Sequence, residues 1–110
     1  METERRNLTP EEIEGAWEKG IIDPYNDPNI FRKDYAGAWI QKDQHGKHSV
    51  YGWEVDHRNP LSNGGTYNPK NLEPLHWQNN KTKGDDYPHW KTSVTASGKV
   101  NVEKEQKWSA

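Results

Sequence analysis

The chain has 110 residues, of which 29% are hydrophobic and 29% charged, with a net charge of −2 and no cysteine. That length fits one domain spanning residues 1–110. The composition excludes disulfides and any cysteine-based zinc site, and no apolar run is long enough to span a membrane. The opening residues, METERRNLTPEE, have no apolar signal-peptide core, so the expected location is the cytoplasm. Low hydrophobicity with high charge leans toward disorder, but six Trp, five Tyr and one Phe oppose it. Each aromatic side chain can bury roughly 150–250 Å². A small fold with an aromatic core and a polar, loop-rich body is expected, and a bound metal ion could help hold so small a core together.

Residues 9–20, TPEEIEGAWEKG, predict a short helix. Thr9 serves as N-cap, Pro10 as first helical residue, Glu12 as capping-box partner and Gly20 as the stop. Ile13, Ala16 and Trp17 follow helical spacing and face the core. The next stretch, IIDPYNDPNIFRKDY, carries Pro24 and Pro28 and reads as an irregular connector. Residues 37–42 and 49–56 predict a hairpin turning at DQHGKH, with a bulge near Gly52 where the alternation of Val50, Trp53 and Val55 breaks. A loop over 58–70 leads to a short extended segment, NLEPL, and then to a helix, HWQNNKTKG, ended by Gly84. The tail KTSVTASGKVNVE predicts a second hairpin turning at Ser97-Gly98. The fold class is therefore α+β.

Charge is distributed unevenly along this order. Residues 1–34 hold nine acids and five bases, a net of −4, whereas residues 57–84 hold Arg58, Lys70, Lys81 and Lys83 against Glu73, a net of +3. The local basic charge surrounds an Asp–His pair, Asp56-His57, placed where a strand runs out into the loop residues NPLSNGG. Asn71 follows His57 by fourteen positions, and Asn80 follows Asn71 by nine.

The segment VDHRNPLSNGG…NLEPLHWQNNKTKGD resembles the HNH endonuclease family over residues 50–85. In that family an Asp–His pair ends a strand, an Asn follows a Gly-containing loop, and a His or Asn lies on the helix. The HNH domain of RNA-guided CRISPR nucleases, which also ends in Asn, is similar in both spacings. RKDYAGAWI and YGWEVDH further resemble a small free-standing HNH group of bacteria and their phages. The resemblance implies a ββα-metal core, here with an added N-terminal helix and C-terminal hairpin. It also implies divalent-metal-dependent hydrolysis of phosphodiester bonds in DNA, leaving 5′-phosphate and 3′-hydroxyl ends; RNA is not excluded as substrate.

The chemistry of the residues agrees with that expectation. Hydrolysis needs a water deprotonated at neutral pH, which an imidazole can do, and a counter-charge for the departing oxygen, which a divalent ion can supply. His57 is the expected general base, and Asp56 and the Asn80 carbonyl are the expected metal ligands. Mg²⁺ is the expected ion because it takes one or two protein oxygens and keeps several waters; Mn²⁺ or another transition metal is the alternative. Asn71 is expected to tie the loop and help orient the base. Arg58, Lys81 and Lys83 are expected phosphate contacts, although Lys83 also reads as a solvated helix end favoured by the dipole. Asn79 competes with Asn80 for the ligand position.

The chain departs from many HNH proteins in lacking the CxxC pairs of a structural zinc. A zinc site built from His45, His48, His76 or His89 has no compact spacing to support it. Trp39, Trp53, Trp77 and Trp90 are expected to supply that packing instead. Two other readings stay open: a non-catalytic HNH-fold binding or inhibitor protein in phage–host conflict, and a toxin or effector nuclease.

Overall fold

The computed structural model describes residues 4–110. Its first helix, α1 (Pro10–Glu18), starts at Thr9, whose hydroxyl accepts from the Glu12 amide while the Glu12 carboxylate accepts from the Thr9 amide. Two of the helix's unpaired N-terminal groups are thereby satisfied. Ala16 and Trp17 are buried and Ile13 packs at the edge of the same cluster, as the spacing predicts. The other helix, α2 (Trp77–Lys83), ends at Gly84, whose amide donates to the Asn80 carbonyl.

The strands form three two-stranded antiparallel ribbons: β1 (Phe31–Lys33) with β2 (Trp39–Gln41), β3 (Trp53–His57) with β4 (Leu72–His76), and β5 (His89–Ser97) with β6 (Val100–Ser109). The last ribbon is the expected C-terminal hairpin, with Ser97 opposite Val100 and the turn at Gly98-Lys99, one residue later than expected.

The expected hairpin of residues 37–42 with 49–56 does not form. β2 pairs back onto β1, inside the stretch read as irregular, and β3 pairs forward with β4 across the long loop. Isolated bonds cross the expected turn instead of a ladder, among them the Gln41 amide to the Tyr51 carbonyl at 3.0 Å and the Gly46 amide to the Trp53 carbonyl at 2.8 Å. Gly52 lies just before β3 and makes no bulge. Its role is close approach, since a Cβ there would sit 1.8 Å from the Lys47 carbonyl oxygen.

The core is aromatic. Trp17 and Trp53 meet at 5.2 Å between ring centroids, enclosed by Ala16, Ile40, Val55 and Leu72. Trp39 and Trp90 are also buried, whereas Trp77 is only half-buried and stacks on His48. Burial of this kind can replace many missing aliphatics.

One polar pair ties the ribbons together. Asp34, fully buried after β1, accepts from the Ala38 amide at 2.8 Å, the His76 amide at 3.0 Å and the Asn79 side-chain amide at 2.9 Å. Asn79, also fully buried, donates to the Val94 carbonyl and accepts from the amides of both Ser93 and Val94. The two successive amides face one oxygen because β5 shifts register between Thr92 and Val94, as a bulge does.

Burial outweighs the hydrogen bonds and pushes the Asp34 carboxyl up to about 6. The unfolded chain titrates it near the ordinary ~3.9. The folded state thus binds the proton more tightly, and the resulting stabilisation is present below about pH 4 and lost as pH rises to about 6. At about 1.4 kcal/mol per unit the swing is roughly 3 kcal/mol. Urea melts at pH 4.5 and 7 should show wild type gaining stability on acidification relative to Asp34→Asn, and parallel pH curves would contradict it.

Candidate active site

β3 delivers Asp56 and His57 at its last two positions, and the chain then leaves into the 58–71 loop. Three features set the loop's shape. The Arg58 amide donates to the Asn71 carbonyl, while the Asn71 side chain accepts from the Asn59 amide at 2.8 Å and donates to the carbonyls of Asn59 and Thr66. Gly64 adopts a left-handed φ of 83°, and a Cβ on Gly65 would lie 1.7 Å from the Asn59 carbonyl oxygen, so the Gly-Gly pair permits the fold-back. Finally, Lys19 reaches from α1 to the carbonyls of Pro69 and Leu72.

Asp56 and His57 are both buried, at 5% and 9% exposure, and both line one cavity of about 170 Å³. Adjacent strand residues ordinarily face opposite sides; at this strand end both reach the same space. Asp56 Oδ2 and His57 Nε2 are buried without a hydrogen-bond partner among the described residues. Buried polar atoms in that state are rare and mark a place where a ligand, ion or water belongs. Burial pushes the Asp56 carboxyl up to about 6, against the pull of Lys83. Burial also lowers the His57 pKa, assisted by the positive charge of Arg5. An imidazole lowered in this way is neutral at pH 7 and able to accept a proton.

α2 packs against β3 and sorts its polar residues by direction. Asn80 lines the cavity, and its side-chain amide donates to Glu54 Oε1 at 3.1 Å. That bond turns the Asn80 carbonyl oxygen away from Glu54. Asn79, about 100° further round the helix, faces Asp34 and β5 instead.

The cations separate too. Lys81 is exposed. Arg58 is half-exposed, bonded to both carboxylate oxygens of Glu73 and lying 5.3 Å from the Trp90 ring centroid. Lys83, expected to contact phosphate at the surface, is instead buried at 1% exposure. Its ammonium lies 3.3 Å from Asp56 Oδ1 and 3.3 Å from the His57 carbonyl oxygen. The reason is helical spacing: position 83 falls on the same side of α2 as position 80 and so faces β3.

The four candidate zinc histidines are dispersed. His45 packs on Trp53, His48 on Trp77, His76 bonds the Val50 carbonyl, and His89 bonds Ser109. Among the described residues no three His, Asp or Glu converge as a metal cage.

Sequence reasoning missed three residues of this site. Glu54 precedes Asp56 by two positions and shares its strand face, a period-2 signal that could have found it. Tyr67 lies edge-on to His57 at 4.8 Å, and Arg5 lines the cavity from ahead of α1. No local pattern marks either.

The donor set suits a hard divalent ion, which binds one or two protein oxygens and retains water. Asp56 Oδ2 is unpartnered, and the Asn80 carbonyl is freed by Glu54. Searches of the curated proteins and of the solved structures each returned no match. The family model of the HNH endonuclease matches residues 42–86. This match takes in Asp56, His57, Asn71 and Asn80 together, and over residues 42–86 the chain is similar to the HNH endonucleases.

Proposed function

We propose that this protein is a divalent-metal-dependent endonuclease that hydrolyses phosphodiester bonds in DNA on a ββα-metal core made of β3, β4 and α2. The observation that carries the reading is the pair of buried, unpartnered atoms, Asp56 Oδ2 and His57 Nε2, on one cavity. His57 Nε2 takes a proton from water as the water oxygen bonds to phosphorus. The bond from phosphorus to the 3′-oxygen breaks and the departing oxygen takes a proton from solvent water, leaving a 5′-phosphate and a 3′-hydroxyl. Asp56 and Asn80 would hold the ion, Mg²⁺ or Mn²⁺, which supplies positive charge for the phosphate and the departing oxygen. Asn71 acts through the loop, fixing the backbone at Arg58 and Asn59 directly after His57. Arg58 and Lys81, one half-exposed and the other exposed, are the candidate phosphate contacts outside the cavity.

One observation favours a second reading, a non-catalytic binding protein on the same scaffold. Lys83 already neutralises Asp56 from within the chain. Incubation with supercoiled plasmid, with and without Mg²⁺ or Mn²⁺, separates the two. Ion-dependent nicking supports the nuclease, and inertness with every divalent ion puts the binding protein ahead.

Glu54 sharpens the metal assignment. If it fixes the flip of the Asn80 amide, Glu54→Ala and Asn80→Ala should each weaken Mn²⁺ binding, read by calorimetry without substrate. Loss of one supporting partner typically costs about 10–100-fold in metal affinity. Asn80→His should keep some activity, since imidazole is also a metal ligand, with a shift toward ions that accept nitrogen. Unaltered Mn²⁺ affinity in both alanine variants would remove Asn80 from the site.

A further inference from the structure

Residues 4–8, ahead of α1, run across the loop beside the cavity. The Arg6 amide donates to the Tyr67 hydroxyl at 2.8 Å, and that hydroxyl in turn donates to the Arg6 carbonyl at 3.2 Å. The Arg6 guanidinium lies 3.9 Å over the Tyr67 ring and makes two 2.8 Å bonds to the Glu12 carboxylate. Glu12 is fixed by the capping box of α1, and the Tyr67 ring lies edge-on to His57. A continuous chain of contacts therefore runs from α1 through Glu12, Arg6 and Tyr67 to the imidazole. Arg6 is fully committed within it.

Arg5 is not. It is exposed and lines the cavity with Asp56, His57 and Asn80. The other cations around the site are engaged elsewhere, Lys83 with Asp56 and Arg58 with Glu73. Among the described residues lining the cavity Arg5 is the sole cation. A bound phosphate there would otherwise meet a carboxylate-lined wall. A guanidinium matches two phosphate oxygens at once, which an ammonium does not.

We propose that this strap is a working wall of the site: Arg5 binds a backbone phosphate of the nucleic acid, and the Arg6–Tyr67 lock holds the strap in place. The proposal rests on the nucleic-acid reading given above.

The test is fluorescence anisotropy of a labelled DNA duplex in EDTA across a salt series, with plasmid cleavage run in parallel. Arg5→Ala should weaken binding and make the slope of log K against log salt shallower by about 0.9, the value for one phosphate contact. Arg5→Lys should keep the slope and lose kcat/KM through the lost two-oxygen contact. Tyr67→Phe keeps the ring against His57 but removes both bonds to the strap; it should lose affinity at an unchanged melting temperature. Wild-type affinity and slope in Arg5→Ala would overturn the phosphate contact, and wild-type affinity in Tyr67→Phe would overturn the lock. If wild type cuts and Arg5→Ala matches it throughout, the strap proposal falls and the nuclease stands. If binding depends on Arg5 but nothing is cut, the nuclease falls and the strap contact stands. A wild type that neither binds nor cuts DNA overturns both.

Discussion

His57→Ala should lose about 10²–10⁴-fold in plasmid nicking rate, the usual worth of a positioned general base. The fold should survive the change. The imidazole sits at a strand end, its ring edged by Tyr67, and its Nε2 bonds no other group among the described residues. The β3–β4 pairing opposite Leu72 depends on backbone atoms that alanine retains. Mn²⁺ affinity should also hold, because the proposed ligands are oxygens of Asp56 and Asn80. Nicking rate, melting temperature and Mn²⁺ calorimetry on one preparation check all three expectations. Nicking close to wild type would remove His57 from the chemistry, and loss of Mn²⁺ binding would make it a ligand instead.

The largest stability loss is expected one residue from the proposed metal ligand. Asn79→Ala leaves the Val94 amide and carbonyl without their side-chain partner in a buried place, and the part-buried Ser93 amide as well. Each buried group left unpaired costs roughly 1–3 kcal/mol, so a total of about 3–5 kcal/mol is expected after partial relaxation. Asp34 would lose one of its three donors as well. Urea titration measures the difference directly. Asn80→Ala is the control: it removes a single bond to half-buried Glu54 and should change stability by no more than about 1 kcal/mol. Equal melting of the two variants would contradict this division of labour between neighbouring asparagines.

That division shows where local pattern suffices and where it does not. Thr9, Pro10 and Glu12 act on groups within one turn of themselves, so α1 could be read from TPEE. Gly84 ends α2 for a similarly local reason. The tie made by Asn71 was legible from the family resemblance, and its partners Asn59 and Thr66 lie within twelve positions of it. Asp34 was not: it looks like any acid in RKDY, and its partners His76 and Asn79 lie 42 and 45 positions away. The pairing of β1 with β2 stayed hidden because strands of three residues carry too little alternation to register. Lys83 was misplaced for a related reason. A lysine at a helix end is ordinarily solvated; here its register with position 80 turns it toward β3, where Asp56 pairs with it. Tyr67 and Arg5 belong to the site through contacts with segments far away in sequence.

The buried Lys83–Asp56 pair also bears on how the protein is made. An isolated carboxylate at that depth would be too costly to keep ionised. The ammonium supplies a balancing charge from the chain itself, so folding need not wait for a divalent ion, unlike small metal-bound domains that stay unfolded until loaded. Maturation and activation would thereby be uncoupled on the proposed chemistry: newly synthesised chains would reach their final shape in an ion-poor setting and form a reservoir. On the proposed chemistry, the supply of metal then governs when that reservoir becomes competent to cut, and chelation returns it to standby with its architecture intact.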